Sequence, residues 1–337
     1  MLNGKTILVT GAPGWLGTRL VEALTGAAGS WPRITGAKVR CLVRPGIDAS
    51  ALRSLGAETF ESDLTSPTEL GKGVDGAEIV IHAAGLIHPH RVRELYDLNT
   101  DGTRRMLDAA IKAGVRRFVF VSSNSPAGAN ADKTRLLDET VVAPFMNYGL
   151  SKRRAEVAVL DACRAGRIES VVVRPCWFYG PGQPPRQTRF FKMIESGRPI
   201  IFGTGEYLRS MSYVDNSVQG LLLAAASDKA SGQIYWIADK RPYPVNEIYA
   251  TVARLLGVKD FRPRHVPELA SRACHLMDAG LQAAGLYVQE FHVAGELIKT
   301  IACSIEKAER ELAYAPAFSL EEGMRRSIAW CRAHGRL

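Results

Sequence analysis

Short runs of apolar, largely β-branched residues recur through the first half of the chain, and each is followed by a stretch with helical spacing. Residues 5–10 (KTILVT) form a strand-like run, after which Leu16, Leu20, Val21 and Leu24 fall on one helical face. Further runs occupy residues 37–43, 57–62 (the weakest), 77–85, 116–123 and 168–175, with a helix spanning 92–113 between the fourth and fifth. Valine and isoleucine follow one another without polar alternation, so these strands are expected to be covered on both faces, as in a parallel sheet. Strand–helix alternation sustained over residues 5–175 predicts an α/β fold, a doubly wound parallel sheet.

After YGPGQPP (179–185) the rhythm breaks. A helix near 186–197, strands near 199–202, 209–213 and 233–237, and helices starting at Asn216 and Asn246 predict a smaller C-terminal α/β lobe over the carboxyl edge of the sheet. The division expected is a dinucleotide-binding domain over 1–180, to which 212–240 returns, and a substrate lobe over 181–337. Ser319 and Glu322 predict a capping box opening a last helix with Met324, Ile328 and Cys331 on one face.

Composition narrows the class. The 337 residues are 46% hydrophobic and 23% charged, as expected of a globular protein. No apolar run is long enough to span a bilayer, which needs about 18 residues or more. The Leu- and Ala-rich stretch 269–305 is interrupted by Arg272, His275, Asp278, Glu290, Glu296 and Lys299, and reads as amphipathic helices that leave docking on a lipid surface open. The chain opens directly on a strand and glycine loop rather than a secretory leader, and its six scattered cysteines lack metal-ligand or redox spacing. These features predict a cytoplasmic protein with buried thiols and no metal site. The net charge of +9 favours an anionic small-molecule ligand, and its even spread along the chain argues against nucleic acid.

Between the first strand and first helix stands TGAPGWLG, with Gly11, Gly14 and Gly17 spaced G-x-x-G-x-x-G. A tight turn, close approach of backbone N–H groups to a diphosphate, and tight helix–strand packing all require glycine at such positions, and the helix N-terminus adds partial positive charge. Pro13, Trp15 and Leu16 belong to the same expected cofactor contact. The second strand ends in LVRPG with no acid to hold a ribose 2′-hydroxyl, and Arg44 stands where a guanidinium would clamp a 2′-phosphate. NADP is therefore the expected cofactor, with NAD the alternative. Asp63, after the third strand, is a candidate for the adenine amino group or else an N-cap for a helix over 64–72.

NYGLSK (147–152) sets Tyr148 and Lys152 four residues apart, on one helical face that Ala155 and Val159 continue. An ammonium near a phenol lowers its pKa and makes it a usable general acid or base. Ser122 and Ser123 end the fifth strand at the carboxyl edge, where one hydroxyl would meet a substrate oxygen beside Tyr148.

TGAPGWLG, DL (63–64), HAAG (82–85), LNTDGT (98–103), VSSNSPAG (121–128), YGLSK (148–152), RPCWFYGPG (174–182) and ELAYAPAFSLEEGMRRSIAW (311–330) together resemble the extended short-chain dehydrogenase/reductases, in order and spacing, over nearly the whole chain. The resemblance implies a Rossmann fold and a catalytic set of Ser123, Tyr148 and Lys152 supported by Asn99. It implies cofactor contacts from Leu64, Ala83, Ala84, Gly85, Val121, Pro175 and Cys176, and a homodimer. Hydride transfer at a carbinol carbon follows, with Tyr148 moving the oxygen's proton. Asn124 and Ser125 stand where the family's dehydratases carry Asp-Glu, which argues against dehydration.

For the substrate, Arg209 matches a diphosphate-binding arginine of sugar-nucleotide enzymes, and Arg186, Arg189 and Lys192 add charge. Trp177 replaces the asparagine usual in those enzymes, and with Phe178 and Tyr179 suits an apolar ligand. The leading expectation is an oxidoreductase or epimerase on a nucleotide-linked sugar. A hydroxysteroid-like or other lipid alcohol is the second, and a non-catalytic NADP-sensing protein the third. His88 and His90 receive no role.

Overall fold

The apolar runs pair as their lack of alternation predicts. In the computed structural model, which describes residues 2–27, 36–66, 70–132 and 134–337, the strands β1 (Thr6–Thr10), β2 (Lys38–Val43), β3 (Glu58–Glu61), β4 (Ile79–His82), β5 (Arg117–Val121) and β6 (Glu169–Pro175) lie parallel. Successive side chains go to opposite faces. Ile7, Val9, Ile79, Ile81, Val119 and Val171 form one core layer, and Leu8, Val80, Phe118, Phe120 and Val172 form the other. Helix α1 (Trp15–Leu24) packs its Leu20 and Leu24 into the first layer.

Two short helices follow, α2 (Ser50–Ser54) and α3 (Leu70–Val74). Asp63 accepts from the Thr65 N–H at 2.8 Å, a local turn, and part of the helix expected over 64–72 lies outside the described residues. The helix expected over 92–113 is continuous but not uniform. It runs as α4 (Val92–Leu95), a π-helical segment Tyr96–Gly102, and α5 (Thr103–Lys112). Helices α5 and α6 (Met146–Arg164) cover the second core layer through Met106, Leu107, Ala155 and Val159.

The chain then leaves the sheet through β7 (Trp177–Tyr179), α7 (Pro185–Glu195), β8 (Ile200–Phe202), β9 (Leu208–Arg209) and β10 (Met211–Tyr213). The single strand expected over 209–213 is thus two. Arg209 pairs antiparallel with Tyr243 while Met211 pairs parallel with Trp177, and the chain changes partners at Ser210. Helix α8 (Val214–Ala226) and β11 (Ile234–Ile237) return to the sheet, where β11 pairs with β6. The completed seven-stranded order is β11-β6-β5-β4-β1-β2-β3.

The rest comprises β12 (Tyr243–Pro244), α9 (Val245–Leu256), β13 (Arg264–Val266), α10 (Glu268–Ala283), α11 (Gln289–Glu296), α12 (Glu306–Leu312) and α13 (Leu320–Ala333). A separate core of Phe191, Ile194, Tyr213, Ile248, Val252, Met324 and Ile328 holds α7, α9 and α13 together. Ser319 caps α13 by accepting from the Glu322 N–H at 3.4 Å. The reciprocal half of the expected capping box is not made, because the Glu322 carboxylate binds Arg325 and Arg326. Of the cysteines, Cys176 and Cys303 come within 3.5 Å of each other although 127 residues apart, as buried free thiols. Among the described residues no helix is long and apolar enough to cross a membrane.

Candidate functional site

The carboxyl ends of β1, β4, β5 and β6 open on one cavity of about 920 Å³ that continues between α7, α9 and α11. At its sheet end lies the glycine loop. Gly11 has φ +87°, and a Cβ there would stand 2.6 Å from the Ala83 carbonyl carbon, so neither the turn nor the contact with the end of β4 tolerates a side chain. Helix α1 has no side-chain cap. The N–H groups of Trp15, Leu16 and Gly17 therefore remain available as donors, which is the set a diphosphate needs. The Trp15 indole donates to the Pro181 carbonyl at 2.6 Å and packs edge-on to Phe178, tying the loop to the turn that leads into α7.

Gly11, Gly14, Trp15, Leu16, Gly17, Ala83, Gly85, Val121, Pro175 and Cys176 all line the cavity, as do Ser123, Tyr148, Lys152, Trp177, Arg186 and Arg209. Pro13, Arg44, Asp63, Leu64, Ala84 and Asn99 do not. Leu64 is buried in the core under α5. Arg44 is exposed. The Asp63 carboxyl is held below its ordinary pKa by the Thr65 N–H, with smaller help from the Arg44 and Arg105 charges. Asn99, buried in the π-helical segment, accepts from the Leu86 N–H (2.7 Å) and donates to the Leu86 carbonyl (2.8 Å), which fixes the loop after β4.

Tyr148 enters through α6. Phe145 N–H donates to the Ser125 carbonyl (2.8 Å), and at Gly149 a Cβ would lie 2.5 Å from that same oxygen. Helix α6 can therefore start hard against the serine loop, which sets the buried Tyr148 phenol beside Ser123, whose own hydroxyl donates to Asn124 Oδ1 at 3.3 Å. Ser122 is used differently, its hydroxyl donating to Glu156 at 2.7 Å. The two serines that spacing left undecided are thus separated by their partners.

The Tyr148 pKa does not follow the sequence expectation. Burial of the ring raises it above the ordinary phenol value, and the nearby Ser123 hydroxyl and Arg186 charge offset only part of that rise. Lys152 does not supply the expected lowering. Its ammonium donates to the Val121 carbonyl at 2.7 Å and sits over the Phe120 ring, and burial lowers its own pKa to about 8. At neutral pH the free protein therefore presents a protonated phenol and a charged lysine, an arrangement able to donate a proton.

Beneath this pair lies a network not foreseen from the sequence. Glu156, one turn beyond Lys152, is fully buried and takes both prongs of Arg174, Nε to Oε1 and Nη2 to Oε2, each at 2.8 Å. Arg174 in turn stacks on Trp236. At the far end of the cavity, Trp177, Phe190, Phe202, Tyr249, Val293 and Leu297 give an apolar wall. Phe178 and Tyr179 line the cavity too, and Tyr179 also belongs to the separate core of α7, α9 and α13, its hydroxyl donating to Asp239 at 2.6 Å. Arg209 is 1% exposed and spends its two terminal nitrogens on the Lys299 and Glu296 carbonyls while stacking on Trp177.

The model of the NAD-dependent epimerase/dehydratase family matches residues 7–238. The chain belongs to that family. Within it, the chain is 45% identical to the protein y4nL of Sinorhizobium fredii, over 99% of this chain and 97% of that one. It is 29% identical to the 4-hydroxy-2-methyl-3-oxo-4-farnesyl-3,4-dihydroquinoline-1-oxide ketoreductase of Stigmatella aurantiaca, over 94% and 93% of the two chains. The fold is that of the UDP-glucose 4-epimerase of Thermotoga maritima (TM-score 0.78, 23% identity, 98% and 99% covered). The epimerase/dehydratase-family match ends at residue 238. Helices α10 and α11 lie beyond it and bring Tyr287, His292 and Glu296 to the cavity. The sequence treated these residues only as part of an amphipathic stretch.

Proposed function

We propose that this family member is an NAD(P)-dependent oxidoreductase acting at the carbinol or ketone carbon of a molecule with an apolar body. The observation that carries this reading is the cavity wall beyond Tyr148, aromatic and aliphatic from β7 to α11, where the arginine expected to grip a diphosphate is engaged by main-chain carbonyls. A nicotinamide dinucleotide supplies the hydride. Tyr148 gives or takes the proton on the substrate oxygen, Ser123 orients that oxygen, and Lys152 holds the nicotinamide ribose. NADP is the preferred cofactor, since β2 ends in Arg44 without an acid.

The nucleotide-linked sugar, the leading expectation from the sequence, becomes the second reading. Arg186 and Arg189 line the cavity and make no ion pair among the described residues, leaving positive charge for an anionic group. The test is NADPH consumption against a panel of apolar ketones, together with thermal shifts by UDP, dTDP and GDP. Turnover of apolar ketones without a nucleotide shift supports the first reading. A nucleotide shift without such turnover supports the second. NADPH binding with neither supports a non-catalytic sensor.

Lys152 gives a pH test of its role. With a pKa of about 8, its ammonium loses the proton within the accessible range, so NADPH affinity weakens as pH rises through about 8. Stability moves the other way. The unfolded chain binds this proton up to the ordinary value of 10.5, so between about 8 and 10.5 the lysine's contribution increases stability as pH rises. Fluorescence titration of NADPH across this range checks the first effect, and Lys152→Met removes the transition. A flat affinity profile in the unmutated protein refutes the assignment.

A further inference from the structure

Helices α10 and α11 carry a side-chain pair that the chemistry above leaves unused. Asp278 is fully buried, and its Oδ2 lies 2.8 Å from His292 Nδ1. Gln282 Nε2 donates to the other carboxylate oxygen at 2.9 Å. Gln282 Oε1 accepts from the Asn147 side chain (2.8 Å) and its main-chain N–H (3.2 Å), and Asn147 Oδ1 accepts from the Tyr96 hydroxyl (2.7 Å). Asn147 immediately precedes Tyr148. The carboxylate–imidazole pair is therefore held in register with the phenol through one residue.

In the neutral ring, a carboxylate on Nδ1 holds the single ring proton there and leaves the Nε2 lone pair free. Nε2 makes no hydrogen bond among the described residues, and the imidazole lines the cavity, with the Phe145 and Tyr287 ring centroids each 5.3 Å from its own. His292 lines the cavity and its Nε2 is not sealed in the core, so a bound ligand can take the place of water at this acceptor.

We propose that His292 is a substrate-binding residue whose Nε2 accepts a hydrogen bond from a second hydroxyl of the substrate, remote from the carbon that reacts. The preferred substrate is then a diol, or a hydroxyketone in the reducing direction, on an apolar skeleton. A carboxylate fits this position poorly, because Asp278 stands behind the ring and Glu296 shares the wall. The inference rests on the reading that this cavity takes an apolar substrate.

Diethyl pyrocarbonate acylates unprotonated imidazole nitrogens, and peptide mass mapping locates the adduct without any need for turnover. In the NADP-saturated protein His292 becomes modified. Androstanediol protects it at about a tenfold lower concentration than androstanol, which has the same rigid skeleton with one hydroxyl fewer, as one neutral hydrogen bond predicts. In His292→Phe, which keeps a ring between Phe145 and Tyr287, the two alcohols bind equally by quenching of tryptophan fluorescence. Should that variant not fold, His292→Gln serves the same comparison, its amide retaining part of the preference. An unmodified His292 in the native protein overturns the proposal, as does equal protection by the two alcohols or protection by neither. Protection favouring the diol without turnover of any alcohol upholds this site while overturning the proposed oxidoreduction.

Discussion

Tyr148→Phe lowers turnover by roughly a hundred- to ten-thousandfold and leaves NADPH binding within about twofold, the range expected for removal of a positioned general acid. The substitution removes one oxygen and keeps the ring between α6 and the serine loop, so the fold has little to respond to. The size of the loss follows from the phenol's state. Burial keeps it protonated at neutral pH, and Ser123 lies beside it. Without the hydroxyl, a carbonyl oxygen bound at Ser123 has no proton donor of comparable placement. Single-turnover rates with NADPH and a ketone from the panel measure the effect separately from binding. Turnover within threefold of the unmutated protein would sink the assignment of Tyr148 as the acid.

Glu156→Ala destabilises the protein by about 3–5 kcal/mol, the cost of leaving a buried charge without its partner. Arg174 is fully buried, and Glu156 takes both of its bidentate contacts and the Ser122 hydroxyl as well. Replacing both members by methionine is expected to cost less than the single change, because no fully buried charge is left uncompensated; Arg153, the other partner of Glu156, reaches solvent. Denaturant unfolding of the single and double variants checks the order. A single-variant loss below about 1 kcal/mol would mean that water reaches Arg174. Loss of Glu156 also removes the negative charge that holds the Lys152 pKa up, so the pH midpoint of NADPH binding moves below about 8.

What could be read from the sequence was what local pattern encodes. Strands β1, β4, β5 and β6 announced themselves by unbroken apolar runs, and Gly11, Gly14 and Gly17 by spacing after a strand. Tyr148 and Lys152 share a helix face at any burial, so their juxtaposition was legible. The direction of the phenol's pKa was not, because it depends on how much protein encloses the ring. Glu156 and Arg174 are 18 residues apart on different elements, and Asp278 and His292 are joined only by the packing of α10 on α11. Nothing in a one-dimensional pattern marks such pairs. Arg209 shows the converse. Its match to a diphosphate ligand was readable, but the carbonyls that occupy it belong to a segment some 90 residues on.

The π-helical segment between α4 and α5 closes its hydrogen bonds over a span one residue longer than its neighbours. That surplus lets Asn99 brace Leu86 while Thr103, in the next turn, meets His82 from the same side. Excising one amino acid from this stretch would restore an ordinary α-helical pitch, with both flanking helices still aimed at the core and only this double bracing lost. Insertions and deletions among family members that fall here should therefore spare the architecture and register instead as altered catalysis.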